Sequence, residues 1–66
     1  MTIVLNGADA PGAASVADLL ERHLGVREPH GVAVAVDGEV VPRSAWPYRS
    51  LPEGAVVEIV TAVQGG

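Results

Sequence analysis

Two dipeptides, Asn6-Gly7 and Asp37-Gly38, constrain this chain more than any other feature. Each follows a short, β-branched apolar run and pairs residue types that tolerate the positive φ of a tight hairpin turn. Each therefore marks a place where a strand doubles back. Thr2-Ile3-Val4-Leu5 leads into the first turn, and residues 8–14, small and carrying Pro11 and Gly12, read as an irregular edge strand returning along it. Val32-Ala33-Val34-Ala35-Val36 leads into the second turn, with three valines on one face and two alanines on the other. Glu39-Val40-Val41 reads as its return strand, ended by Pro42.

Between the hairpins lies one helical segment. Ser15 has the hydroxyl of an N-cap, and Asp18 stands in the first turn, where negative charge is favoured. Val16, Leu19, Leu20 and Leu24 recur at helical spacing, Asp18, Glu21 and Arg22 lie off that stripe, and Gly25 is a natural C-cap. A helix of about ten residues is too short to stand without a sheet to pack on. Residues 26–31, with Pro29 and Gly31, read as a loop. Residues 43–50 show no periodicity, although Ser44 is placed to cap a single helical turn before Pro47. Leu51-Pro52-Glu53-Gly54 is a turn. Residues 55–63 are almost wholly apolar or β-branched apart from Glu58, which predicts a long strand largely buried in the sheet centre. The order strand, strand, helix, strand, strand, strand predicts an α+β fold. We expect a mixed four- to five-stranded sheet with one helix packed across one face, the last strand parallel to the first, in a β-grasp arrangement.

The 66 residues predict a single domain, 1–66, with a thin core, since a chain this short buries only about 60% of the surface its unfolded form exposes. Apolar residues at 48% against 18% charged argue for a folded body over a disordered one. Without cysteine there is no disulfide framework and no thiolate metal site. The net charge is −4 and the four cations, Arg22, Arg27, Arg43 and Arg49, are not grouped, so the counterion release that drives nucleic-acid binding has no basic cluster to act through. No apolar run reaches the roughly 18 residues that span a bilayer, and no basic region and apolar core of a signal peptide precede the first strand. The expectation is a soluble, cytoplasmic protein with neither nucleic acid nor membrane as partner.

The chemistry-bearing candidates are few. His23 and His30 have no Cys or carboxylate cluster at ligand spacing and read as solvated or capping residues, so no metal is expected. Ser44 has no recognisable His or Asp partner and reads as a loop or cap residue. The glycines form no phosphate-binding pattern. Trp46 and Tyr48 are the only aromatics: in a chain without Phe, Trp46 either closes the base of the core or contacts a partner. On the last strand Val56, Glu58, Val60 and Ala62 share one face, and Val57, Ile59, Thr61 and Val63 the other. With Glu58 toward water, Val56 and Val60 flank it in an exposed apolar patch suited to docking. In the opposite register they are buried. The sequence then finishes on Gln64-Gly65-Gly66, read as a flexible tail. Two residues without side chains can thread extended into a narrow slot and bring a carboxylate into another protein's active site. The competing reading is a frayed end.

Several of these stretches together resemble one family along the whole chain. They are Asn6-Gly7 after the first strand, Ser15-Val16-Ala17-Asp18-Leu19-Leu20 opening the helix, and Val32-Ala33-Val34-Ala35-Val36 followed by a turn. Val40-Val41-Pro42-Arg43-Ser44-Ala45-Trp46 and Val60-Thr61-Ala62-Val63-Gln64-Gly65-Gly66 complete the set. The chain resembles the ThiS-type sulfur carriers of thiamine thiazole biosynthesis, which have a ubiquitin-like β-grasp fold. It departs from them in having Asp37-Gly38 where Asn-Gly is usual, which keeps the turn chemistry, and Gly54-Ala55 where Gly-Asp is common.

The resemblance implies a protein that is no enzyme and binds no cofactor. It implies that Gly66 is the sulfur-carrying residue, its carboxylate adenylated with ATP by an E1-like, ThiF-type adenylyltransferase. A persulfide donor, such as one charged by a cysteine desulfurase, then converts the adenylate to a thiocarboxylate that supplies sulfur to a ThiG-type thiazole synthase. Gly65 and Gln64 would form the tail, and Val56, Glu58, Val60, Arg43 and Trp46 are the candidate partner surface. Chemically this is coherent, because a carboxylate resists nucleophiles until it becomes a mixed anhydride, and a chain without cysteine has no side-chain thiol to carry sulfur. Three other readings stay open: a carrier serving molybdopterin or cysteine biosynthesis, a ubiquitin-like protein modifier, and an interaction domain with an inert tail.

Overall fold

A computed structural model describes residues 1–61 of the chain. Strands β1 (Thr2–Leu5) and β2 (Ala8–Pro11) form the first hairpin, followed by helix α1 (Val16–Leu24). Strands β3 (Val32–Val36) and β4 (Glu39–Val41) form the second, and β5 (Val56–Thr61) comes last. The five strands make one sheet in the order β2-β1-β5-β3-β4. β5 lies in the middle, parallel to β1 through Val4↔Val56 and Leu5↔Val57, and antiparallel to β3 from Val32↔Thr61 to Val36↔Val57. The mixed five-stranded sheet with one helix is the ubiquitin-like β-grasp arrangement expected from the sequence.

Both hairpins turn where the dipeptides stand. Asn6 and Asp37 take φ of 49° and 51°, and Gly7 and Gly38 both take 83°. Two consecutive positive φ values define the turn whose twist matches that of the flanking strands. In α1, Ser15 is the N-cap, its hydroxyl accepting from the Asp18 N–H at 3.1 Å, and Gly25 closes the other end at φ 82° with its N–H bonded to the Glu21 carbonyl at 2.8 Å. The two remaining free donors of the first turn are also satisfied: the Val16 N–H reaches the Arg49 carbonyl at 3.0 Å and the Ala17 N–H the Trp46 carbonyl at 3.1 Å.

The core lies between α1 and one face of the sheet. Val16, Ala17, Leu19 and Leu20 of the helix face Ile3, Val34, Val36, Val57 and Ile59 of the sheet, with Val41, Trp46, Leu51 and Ala55 closing its ends. Each fully buried large aliphatic side chain stabilises the fold by about 1.5–3 kcal/mol relative to exposure. Leu24, expected on the apolar stripe, is 39% exposed, because the chain turns out of the helix at Gly25 directly after it; Ala17 is buried in the core instead.

Two further expectations change. Residues 43–45 do form a single 3-10 turn, Arg43–Ala45, but Ser44 lies inside it and caps nothing; Pro42 holds the N-cap position without a side-chain bond. β5 is not buried on both faces, since only Val57 and Ile59 of its residues are buried. The sheet has a helix on one side only, so the central strand keeps an open face. At the turn before β5, where Gly54-Ala55 departs from the common family pattern, the Gly54 N–H bonds to the Thr2 carbonyl at 2.8 Å and the Ala55 N–H to the Pro52 carbonyl at 3.1 Å.

Candidate functional site

β5 places two candidate features on one element: an open apolar face along Val56–Thr61, and the chain leading to residues 62–66. Its inward residues, Val57 and Ile59, are held by the core, which forces Val56, Glu58 and Val60 to the opposite side. Val56 is 45% exposed and Val60 61%. Of the two registers open to this strand, the structure adopts the one with Glu58 toward water.

The cross-strand partners enlarge the patch beyond β5. Val4 lies beside Val56, Ala33 opposite Val60, and Ala35 opposite Glu58; across from Ala35 on β4 stands Val40, 73% exposed. Directly paired residues share a face, so these side chains form a continuous apolar surface around Glu58. The alanines make its floor shallow and the valines stand above it. Sequence reading missed Val4, Ala33, Ala35 and Val40. The signal was present in the unequal faces of Val32-Ala33-Val34-Ala35-Val36: once the valines turn inward, the alanines mark the outward side. Among the described residues the Glu58 carboxylate enters no ion pair, so its charge faces whatever covers this surface.

Arg43 and Trp46, also expected on a partner surface, lie elsewhere. Trp46 is 2% exposed; its ring fills the core and its Nε1–H donates to the Val41 carbonyl at 3.0 Å. Burial removes it from the contact surface and decides for the core reading. Arg43 folds over the connection between α1 and β3, where its guanidinium donates to the Glu28 carbonyl and meets His30 Nδ1 at 2.9 Å, with the Glu28 carboxylate 3.9 Å away. Its cation serves that loop.

Other charges follow the same local logic. Arg22 of α1 donates to the Pro11 and Gly12 carbonyls, tying the helix to the end of β2. Arg27 pairs with Asp18 at 2.5 Å and Glu21 at 3.4 Å. The hydrogen bond from the Arg27 side chain, then that from the Ser15 side chain, holds the Asp18 carboxyl below its ordinary value, and Asp18 in turn raises Arg27. His23 sits in the last turn of α1, where positive charge suits the helix dipole, and no group of three metal-ligating side chains occurs among the described residues. Gln64, Gly65 and Gly66 lie outside the described residues.

The comparisons with known proteins converge. The model of the ThiS family matches residues 3–66. The crystal structure of a thiamine biosynthesis protein (ThiS) from Geobacter metallireducens is similar at a TM-score of 0.77 and 31% identity over the whole of both chains. The solution structure of a thiamine biosynthesis protein from the same organism is similar at a TM-score of 0.75 and 31% identity, covering 100% of this chain and 88% of that one. No curated protein sequence matches.

Proposed function

The chain belongs to the ThiS family, and we propose that it is a sulfur carrier of thiamine biosynthesis whose reactive group is the carboxylate of Gly66. The observation that carries this reading is the family match running through to Gly66 in a chain that has no cysteine. Carriers of this type are not themselves enzymes. An activating enzyme supplies ATP and transfers AMP to the Gly66 carboxylate, releasing pyrophosphate. The mixed anhydride makes the carbonyl carbon electrophilic. A persulfide sulfur from a second protein then attacks that carbon, AMP leaves with the bonding electron pair, and reduction of the acyl disulfide by a further thiol frees the thiocarboxylate. That sulfur is delivered to a thiazole synthase. The carrier's own contribution is geometric: the face of β5 around Val56, Glu58 and Val60 docks, and the strand delivers its C-terminal end to the partner's active site.

Incubation of the protein with a ThiF-type activating enzyme, ATP and a persulfide donor, followed by intact mass measurement, tests this. The expected result is the gain of an oxygen-to-sulfur exchange, absent when Gly66 is deleted. No gain, or an equal gain in the deletion variant, overturns it.

A further inference from the structure

β5 has hydrogen-bonding groups on both edges, and a different device satisfies each. Its even-numbered residues turn toward the second hairpin: the Val56 N–H donates to Asp37 Oδ1 at 2.9 Å, and the Val56 carbonyl accepts from the Asp37 N–H at 2.7 Å. Its odd-numbered residues turn toward β1, where the Val57 carbonyl accepts from the Asn6 N–H at 2.9 Å. There β1 ends, because Asn6 enters the turn at φ 49°. Ile59, two residues further along β5, faces an edge that β1 has already left. It is only 8% exposed, and an unpaired buried donor or acceptor costs about 1–3 kcal/mol. The side-chain amide of Asn6 satisfies both groups: Oδ1 accepts from the Ile59 N–H at 2.8 Å and Nδ2 donates to the Ile59 carbonyl at 3.2 Å. One carboxamide supplies the acceptor and donor of a peptide group and extends the parallel ladder past the end of its strand.

We propose that Asn6 is a positioning residue for the reactive end of the carrier. By clamping Ile59 it fixes the β5 backbone two residues before Thr61, the last described residue, and so the point from which residues 62–66 start. The proposal rests on the Gly66 reading above. A turn alone does not require asparagine at this position. Glycine or aspartate adopts the same φ, and the other hairpin uses Asp37. Of these three residues only asparagine offers the donor that the Ile59 carbonyl needs.

Asn6→Gly keeps the turn and removes the clamp, and Asp37→Gly is its counterpart at the start of β5. In Asn6→Gly, amide hydrogen exchange by NMR should show the Ile59 N–H exchanging roughly tenfold faster relative to β3 amides, while in Asp37→Gly the Val56 N–H is the one released. With the activating enzyme and ATP, Asn6→Gly should lower the turnover rate at saturating carrier several-fold with KM changed by less than about twofold, and Asp37→Gly should leave the turnover rate near wild type. Unchanged Ile59 exchange in Asn6→Gly, or equal loss of turnover in the two variants, overturns the proposal. A wild-type protein that is never adenylated would remove the function itself, and the positioning role with it, whatever the exchange rates show.

Discussion

At the residue scale, Trp46 and Asp18 show how single side chains hold a thin core together. Trp46 is the largest buried side chain in a chain without Phe, and its indole N–H is the partner of the Val41 carbonyl. Trp46→Phe should therefore cost about 0.5–1.5 kcal/mol through the lost hydrogen bond, in addition to lost packing. Trp46→Ala should cost about 3–5 kcal/mol, comparable with the whole stability of a domain this small. Urea unfolding would show the first variant folded with a lowered midpoint and the second largely unfolded. Asp18 acts through pH. Because Arg27 and Ser15 hold its folded-state value below the ordinary 3.8, its contribution is complete above that ordinary value and is lost as the pH falls through the depressed one. Thermal melts from neutral to strongly acid pH should show wild type losing an increment in that acid window that Arg27→Ala lacks. The sequence left Trp46 between the core and a partner surface, because an indole has both an apolar body and a polar handle. Its partner depends on the 3-10 turn Arg43–Ala45, which residues 43–50 conceal by lacking any periodicity.

At the element scale, what reads clearly in the sequence is what local chemistry decides alone. Asn6-Gly7 and Asp37-Gly38 name their turn by the φ values those residues tolerate, and Ser15 and Gly25 bound α1 by capping. The faces of β5 are different. Their alternation was legible, but which face turns inward depends on α1 covering only one side of the sheet, a tertiary fact that strand periodicity does not contain. The same gap hid the contributions of Val4 and Val40 to the exposed apolar face, since cross-strand neighbours follow from register. This face predicts a separation of effects. Val60→Glu, at a position 61% exposed, should lower stability by less than about 1 kcal/mol. It should also raise KM for the carrier in the activating enzyme's adenylation assay roughly tenfold, a loss of about 1.4 kcal/mol in docking. Equal KM values for Val60→Glu and wild type would show that the enzyme docks elsewhere.

At the scale of the whole molecule, the fold and the proposed chemistry are divided between two regions. Residues 1–61 form a sheet backed by one helix, with the central strand open on the far side and leading directly to the segment that ends in Gly65-Gly66. The order of elements was sufficient to read that architecture, because two hairpins, one amphipathic helix and a last strand long enough to lie in the middle leave few ways to bury a single apolar face. The site was legible only in part, because the proposed reactive group is a backbone carboxylate, which has no side-chain signature in a sequence. The central claim is that Gly66 carries the sulfur, and fragmentation of the charged protein by tandem mass spectrometry tests it most directly. We predict that the oxygen-to-sulfur mass gain appears in every fragment containing Gly66 and in none that lacks it. A gain retained in fragments ending before Gly66 would contradict the account.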